Sequence, residues 1–346
     1  MERHAWRHSL WLLTESGPWT QNTNMKCRSN AACIGHALIF WTFVLFLLGI
    51  ICARAEIVGT NESELFKKNI EAANQGTPEG QFNVGLCFSK GEGVESNNVE
   101  AVKWFRKAAD QGLAQAQCKL AICYAYGLGV TQDKTEAIKW FRRAADQGEP
   151  MAQFFVGDYY SRGDGVTQNM EEAVKWLHQA ADKGISSAQF SLGYCYFHGQ
   201  GVTQDKTEAV KWYKKAADQG HIVAQYNLGL CFYQGEGVPE DKSEAEKWFS
   251  KAADRGVAAA ESNLGLCYFR GEGVARDKSE AVNWFRKAAE QGYAEGQANL
   301  GVCYARGEGV PLDKIEARKW LSKAANQGVS AAARELNNLE RESQSQ

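Results

Sequence analysis

Residues 117–148 read QCKLAICYAYGLGVTQDKTEAIKWFRRAADQG, and this stretch holds two helical stripes joined by a glycine turn. In its second half Ala137, Trp140, Phe141, Ala144 and Ala145 fall at i, i+3, i+4, i+7 and i+8, which is one face of an α-helix, helix B. Upstream, Ala116, Leu120, Ala121, Cys123 and Tyr124 form a second stripe, helix A, over about residues 113 to 126. Between them Asp133 and Glu136 have the spacing of a capping box, in which N-cap and N3 side chains satisfy each other's free backbone donors. Gly148 stands where a left-handed residue closes helix B.

Every part of this unit returns at an interval of 36 residues. Trp104, Trp140, Trp176, Trp212, Trp248, Trp284 and Trp320 mark it, with no insertion anywhere. Gly91 and Gly93 recur as Gly127 and Gly129, and so on to Gly307 and Gly309, and the helix-closing glycines run from Gly112 to Gly328. The cap pair recurs as Asp205 with Glu208, Asp241 with Glu244, Asp277 with Glu280 and Asp313 with Glu316, and as Asn97 with Glu100 and Asn169 with Glu172. Strict self-similarity of this kind is the signature of an all-α solenoid, in which a unit buries its apolar face only by stacking on its neighbours. A glycine inside helix A (Gly85, Gly157, Gly193, Gly229, Gly265, Gly301, with Ala121 once) costs about 1 kcal/mol of helix stability. It implies a close approach by helix B, with the tryptophan as the expected occupant.

The pattern A-x-x-x-L-G-x-x-Y-x-x-G-x-G-V-x-x-D-x-x-x-A-x-x-W-x-x-x-A-A-x-x-G resembles the Sel1-like repeat family, relatives of the tetratricopeptide repeats, and all seven units follow it. The resemblance implies a right-handed superhelix of antiparallel helix pairs used for protein–protein interaction and complex assembly, in bacteria often at the cell envelope or toward a host. On this reading residues 77–328 are seven repeats, 56–76 a capping half-repeat with Lys68 in the tryptophan position, and 329–346 a C-terminal capping helix and tail.

The N-terminal part is different in kind. Cys33–Ala53 is a run without Lys, Arg, Asp or Glu, long enough to span a bilayer. If translation starts at Met25, Lys26 and Arg28 form a basic region and Ala53-Arg54-Ala55 a cleavage site. Residues 33–55 are therefore either a signal peptide or a transmembrane anchor, and 1–32 a mis-assigned start or a short cytoplasmic tail. Basic charge before the run and Glu56, Glu62 and Glu64 after it place the repeats outside the cytoplasm in both cases, membrane-anchored or secreted. Asn61-Glu62-Ser63 has the form of a glycosylation sequon.

Charge and motifs narrow the function. With 39 Lys and Arg against 41 Asp and Glu, no global field calls for nucleic acid. There is no S-x-x-K, K-T-G, H-E-x-x-H, Walker loop or C-x-x-C, so an enzyme, including the β-lactam chemistry linked to cysteine-rich relatives, is not expected, and neither is a cofactor or metal. Cys87, Cys123, Cys195, Cys231, Cys267 and Cys303 share one position of helix A and would lie about 10 Å apart, too far for bridging; buried thiols are expected. His178, His198 and His221 read as solvated surface residues.

Helices A line the inner surface of stacked pairs, so binding should use helix A positions that vary among units. Three at i, i+3 and i+7 qualify: Phe155, Asp158 and Arg162; Ser191, Tyr194 and His198; Asn227, Leu230 and Gln234; Asn263, Leu266 and Arg270; Asn299, Val302 and Arg306. An Asn227, Asn263 and Asn299 ladder would hydrogen-bond an extended peptide, with Arg270 and Arg306 meeting acidic groups. Alternatively Leu230, Leu266 and Val302 pack between A helices and the asparagines satisfy local backbone. The expected function is a non-enzymatic adaptor for a protein or peptide partner; the alternative is a surface protein or effector contacting a host or cell-wall polymer.

Overall fold

The computed structural model describes residues 62–344, with side chains to Arg341. Helix α1 covers 62–74. Seven A–B pairs follow: α2 (Pro78–Lys90) with α3 (Asn98–Asp110), α4 (Ala114–Tyr126) with α5 (Lys134–Asp146), α6 (Pro150–Arg162) with α7 (Met170–Asp182), α8 (Ser186–His198) with α9 (Lys206–Asp218), α10 (Ile222–Gln234) with α11 (Lys242–Ala253), α12 (Ala258–Arg270) with α13 (Lys278–Glu290), and α14 (Ala294–Arg306) with α15 (Lys314–Asn326). Helix α16 (Ser330–Gln344) closes the array against α15 and α14. Each helix packs on those before and after it, and the described residues contain no strand. The chain is an all-α solenoid.

The glycines of the A–B turn do two jobs. Gly127 caps α4 in the left-handed region at φ 71°, its N–H donating to the Cys123 carbonyl. Gly129, also at φ 71°, packs so tightly that a Cβ would lie 2.2 Å from the Asn98 carbonyl oxygen, at the start of the preceding helix B. Only glycine meets both demands, so the turn of one repeat rests on the helix of another.

Half of the expected capping box forms. Asp133 Oδ1 accepts from the Glu136 N–H at 2.9 Å, yet the Asp133 N–H donates to the Tyr124 carbonyl of helix A. That donor being satisfied, the N3 glutamate turns away: Glu136 pairs with Lys139, and Glu172, Glu244 and Glu316 accept from the indole Nε1 of Trp176, Trp248 and Trp320 at 2.9–3.0 Å.

The tryptophan does not fill the space over the helix A glycine; the residue after it does. A Cβ on Gly193 would meet the Tyr213 ring at 2.7 Å, and one on Gly229 the Phe249 ring at 2.7 Å; Phe105, Leu177, Phe285 and Leu321 stand over the other four. Trp212 packs instead on Val174 and Leu177 of the preceding helix B, and Trp248 on Val210 and Tyr213. Neighbouring residues on a helix point about 100° apart, so one faces its own helix A and the other faces back along the array. A tryptophan thus separates successive B helices. Successive A helices are spaced by smaller groups, and α12 with α14 and α14 with α16 come into direct contact. Close approach between A helices at this end of the array is what an inner A row requires.

A buried glutamine chain ties the repeats together. Gln117 Nε2 donates to the Ala109 carbonyl at the end of the preceding helix B, while its Oε1 accepts from Gln147. The arrangement recurs at Gln189 and Gln297. In repeat 6 the position is Glu261, which accepts from Gln291 at 2.7 Å but as a carboxylate has no proton to donate.

The apolar run Cys33–Ala53, the Met25 start and Asn61 lie outside the described residues, within which no helix is long and apolar enough to cross a membrane.

Candidate functional site

The inner row of A helices carries the varied positions. His198, Gln234, Arg270, Arg306 and Arg162, the last member of each triplet, are all exposed. They stand in the final turn of each helix A, one residue before the left-handed cap, and so at one edge of the row.

The middle members are seam residues. Leu230, Leu266 and Val302 are half-buried, each packed on a core that helix B of its own repeat shares with the helix that follows. Asp158 is held by Arg162 at 2.8 Å; burial nevertheless raises its carboxyl above the usual range, with the Arg162 charge opposing. Tyr194 lies 4.2 Å from the His198 ring, centroid to centroid.

The first members divide. Phe155 stacks on Phe141 at 4.6 Å and belongs to the core of repeats 2 and 3. Asn263 Nδ2 donates to Tyr226 Oη at 3.3 Å and Asn299 Nδ2 to Ser262 Oγ at 3.4 Å, both on the preceding helix A. These are long, weak bonds, which an extended backbone could displace. Ser191 and Asn227 are half-buried. Arg270 donates to Tyr233 Oη at 3.1 Å, and Arg306 to Glu335 of α16 at 3.0 Å.

The same register in repeat 2 holds Lys119, Ile122 and Tyr126, which the sequence reading passed over. Tyr126 is 51% exposed, and Lys119 and Ile122 edge a cavity of about 300 Å³ reaching Cys118, Glu149, Phe82 and Met151. The signal was available in the alignment of units, where Cys118 replaces an aromatic residue and Glu149 an apolar one.

Two residue classes behave as chemistry at rest. The seven described cysteines are free and buried, and burial pushes the Cys231, Cys267 and Cys303 thiols up to about 12, so the nucleophilic thiolate is scarce at neutral pH. No cluster of three or more His, Cys, Asp or Glu among the described residues could hold a metal. His178 and His198 are exposed, but His221 corrects the surface reading: it is half-buried, stacks on Phe190 at 4.8 Å, and its Nδ1 accepts the Ala224 N–H at the start of α10. Desolvation lowers its pKa, which keeps that nitrogen an acceptor.

The Sel1 repeat model matches seven consecutive windows, 78–113, 114–149, 150–185, 186–221, 222–257, 258–293 and 294–329. Among solved structures, c5321, a protective antigen present in uropathogenic Escherichia coli strains and displaying an SLR fold, is 34% identical, with a TM-score of 0.75 over 84% of this chain and 67% of that one. A Sel1 repeat protein from Oxalobacter formigenes is 37% identical, with a TM-score of 0.61 over 81% of each chain. No curated protein matches.

Proposed function

This chain belongs to the Sel1 repeat family, whose members generally mediate protein–protein interaction, and from that premise we propose that it is a non-enzymatic adaptor binding a protein or peptide segment along the inner row of A helices. The observation that carries the reading is the division of labour inside each repeat. Positions that build the helix A–helix B core and the outer seam barely change: alanine, leucine and glycine in helix A, tryptophan and alanine in helix B. The exposed last position of the inner row runs Arg162, His198, Gln234, Arg270, Arg306. A fixed skeleton presenting a varied edge is how a repeat array encodes recognition.

Arg162, Arg270 and Arg306 put guanidinium groups along the edge, two of them already holding carboxylates of this chain, Asp158 and Glu335, so a partner with acidic groups suits it. Above that edge, Asn263 and Asn299 offer amides held only by long bonds, ready to pair with an extended backbone. The apolar run at Cys33–Ala53, basic before and acidic after, supports placing the repeats outside the cytoplasm, anchored or released. A fusion of alkaline phosphatase after Gln346, active only when exported, tests that placement.

The binding reading is tested with a displayed library of random peptides selected on the immobilised protein. Selected peptides should be enriched in Asp and Glu, and Arg162→Glu/Arg270→Glu/Arg306→Glu should weaken them at least tenfold while circular dichroism stays unchanged. The triple Asn227→Ala, Asn263→Ala and Asn299→Ala should weaken them further. Peptides indifferent to both variants would remove the inner row from the function.

A further inference from the structure

Along the array, one side chain in the second turn of each helix A meets the residue that ends the same repeat. In repeat 4 this pair is Phe190 and His221, stacked at 4.8 Å with planes 18° apart. Phe82 with Leu113, Phe154 with Ile185 and Tyr226 with Val257 pack on shared cores in repeats 1, 3 and 5. Repeat 6 inverts the order, with Ser262 in the first place and Tyr293 supplying the ring from the second. Repeats 2 and 7 have neither: the pair of repeat 7 is Ala298 and Val329, packed on one core under α16, and that of repeat 2 is Cys118 and Glu149.

The cavity of about 300 Å³ lies there, between Cys118 and Glu149, with Phe82 and Met151 bounding it from the repeats on either side and Lys119 and Ile122 on the inner row. Cavities of about 150 Å³ lined by apolar groups hold benzene, so this one has room for a phenol side chain. Met151 is 39% exposed and Lys119 is exposed, so the cavity opens to solvent on the A side. Glu149 is half-buried; burial raises its carboxyl above the usual range, opposed by a hydrogen bond from the Met151 backbone N–H and by the charges of Lys183 and Lys119, which leaves acceptor capacity for one more donor.

We propose that this cavity is an anchor site for an aromatic side chain of the partner, tyrosine best, so that the bound ring completes the series that repeats 1, 3, 4 and 5 complete internally. Three contacts select it. The sulfurs of Cys118 and Met151 and the Phe82 ring favour an aromatic face or edge. The Lys119 ammonium is placed for a cation–π contact, as Lys215 already makes over Trp212 at 3.7 Å. The Glu149 carboxylate accepts a phenol hydroxyl, as Glu272 accepts from Tyr233 Oη at 2.5 Å.

The proposal rests on the inner-row reading and deepens it, so the test separates the two. The probes are tyrosine-bearing peptides selected from the displayed library on the full chain, with their Tyr→Phe and Tyr→Ala versions. Cys118→Phe/Glu149→Ile installs the pair that repeat 3 uses, which keeps the fold and closes the cavity. Such peptides are expected to lose at least tenfold in affinity toward this variant. Their Tyr→Ala versions should bind it and the unaltered chain alike. Glu149→Gln, which preserves shape, should narrow the preference for Tyr over Phe at least threefold. Tyrosine peptides that bind the closed variant within twofold overturn the anchor, and if they still respond to the arginine reversals, the inner row stands without it. A Tyr-over-Phe preference that Glu149→Gln leaves unchanged overturns the hydroxyl contact.

Discussion

The outer and inner seams of this solenoid are built from the same repeat, yet they have different tolerances. Between B helices stands a tryptophan at every step, buried to 4% exposure at Trp212 and Trp248. In every repeat but the third, where Gln179 stands, a cationic neighbour at i+3 covers the ring, as with Lys251 over Trp248 at 3.7 Å. Between A helices stand leucine, valine, asparagine, serine and phenylalanine in no fixed order, half-buried and partly hydrogen-bonded. The outer seam uses one large side chain whose shape sets the step between repeats. The inner seam is closed by whatever fits, which leaves sequence there free to vary. Stability is concentrated on one side of the array and recognition on the other.

Removing the outer wedge gives the sharpest contrast. Trp212→Ala in the middle of the array is expected to lose about 3–5 kcal/mol, read from urea or thermal unfolding. Much of it should appear as lost coupling between repeats 3 and 4, since Trp212 packs on Val174 and Leu177. A dispensable Trp212 would sink the stacking model.

The space inside a repeat is next in size. A Cβ on Gly229 would lie 2.7 Å from the Phe249 ring, an overpacking of about 1–3 kcal/mol, against about 1 kcal/mol gained in helix propensity. Gly229→Ala should therefore destabilise by about 1 kcal/mol net. Repeat 2 shows how such a Cβ is absorbed, for Ala121 stands there and Phe141 lies stacked on Phe155. A clear gain in stability for Gly229→Ala would mean that Phe249 has as much freedom as Phe141.

These two positions also mark what the sequence could and could not say. The interval between tryptophans identifies equivalent residues, and helix boundaries follow from stripe, cap and glycine, so the architecture was legible at the level of Ala137 to Gly148. Periodicity does not say which neighbour a residue faces, and Trp212 and Tyr213 belong to the same stripe while serving different interfaces. The capping pair was legible as spacing, but that Tyr124 already accepts from Asp133 depends on how helix A meets helix B. The inner-row triplets follow from the 36-residue register alone, whereas the division into exposed, seam and core members, and the cavity at Cys118, needed the packing of three consecutive repeats.

A smaller effect of opposite sign tests the link between seams. In repeats 2, 4 and 7 the buried glutamine donates to the preceding helix B, a bond that ionised Glu261 cannot make. Burial raises its folded-state carboxyl pKa above the unfolded value, with Lys287 and Gln291 opposing. The stability that the protonated form contributes is thus complete below the unfolded carboxylate range and is lost as pH rises through the raised value. Glu261→Gln should then stabilise the array by about 1 kcal/mol at pH 7, with the difference shrinking toward pH 4. A variant indifferent to pH and no more stable would show that the joint between repeats 5 and 6 is satisfied without a donor.

The smallest expected change in stability belongs to the inner edge, and its smallness is the point. His198, Gln234 and Arg270 are exposed, and their contacts are local: a ring beside Tyr194, none for Gln234 among the described residues, and a bond to Tyr233 for Arg270. Changing each to alanine should alter unfolding free energy by no more than about 0.5 kcal/mol. Trp212→Ala, buried on the outer side, should exceed the three together. If the edge positions instead cost as much as the seam positions, the variation from Arg162 to Arg306 would record repacking between A helices. The inner row would then be a second structural seam, with no surface left over for a partner.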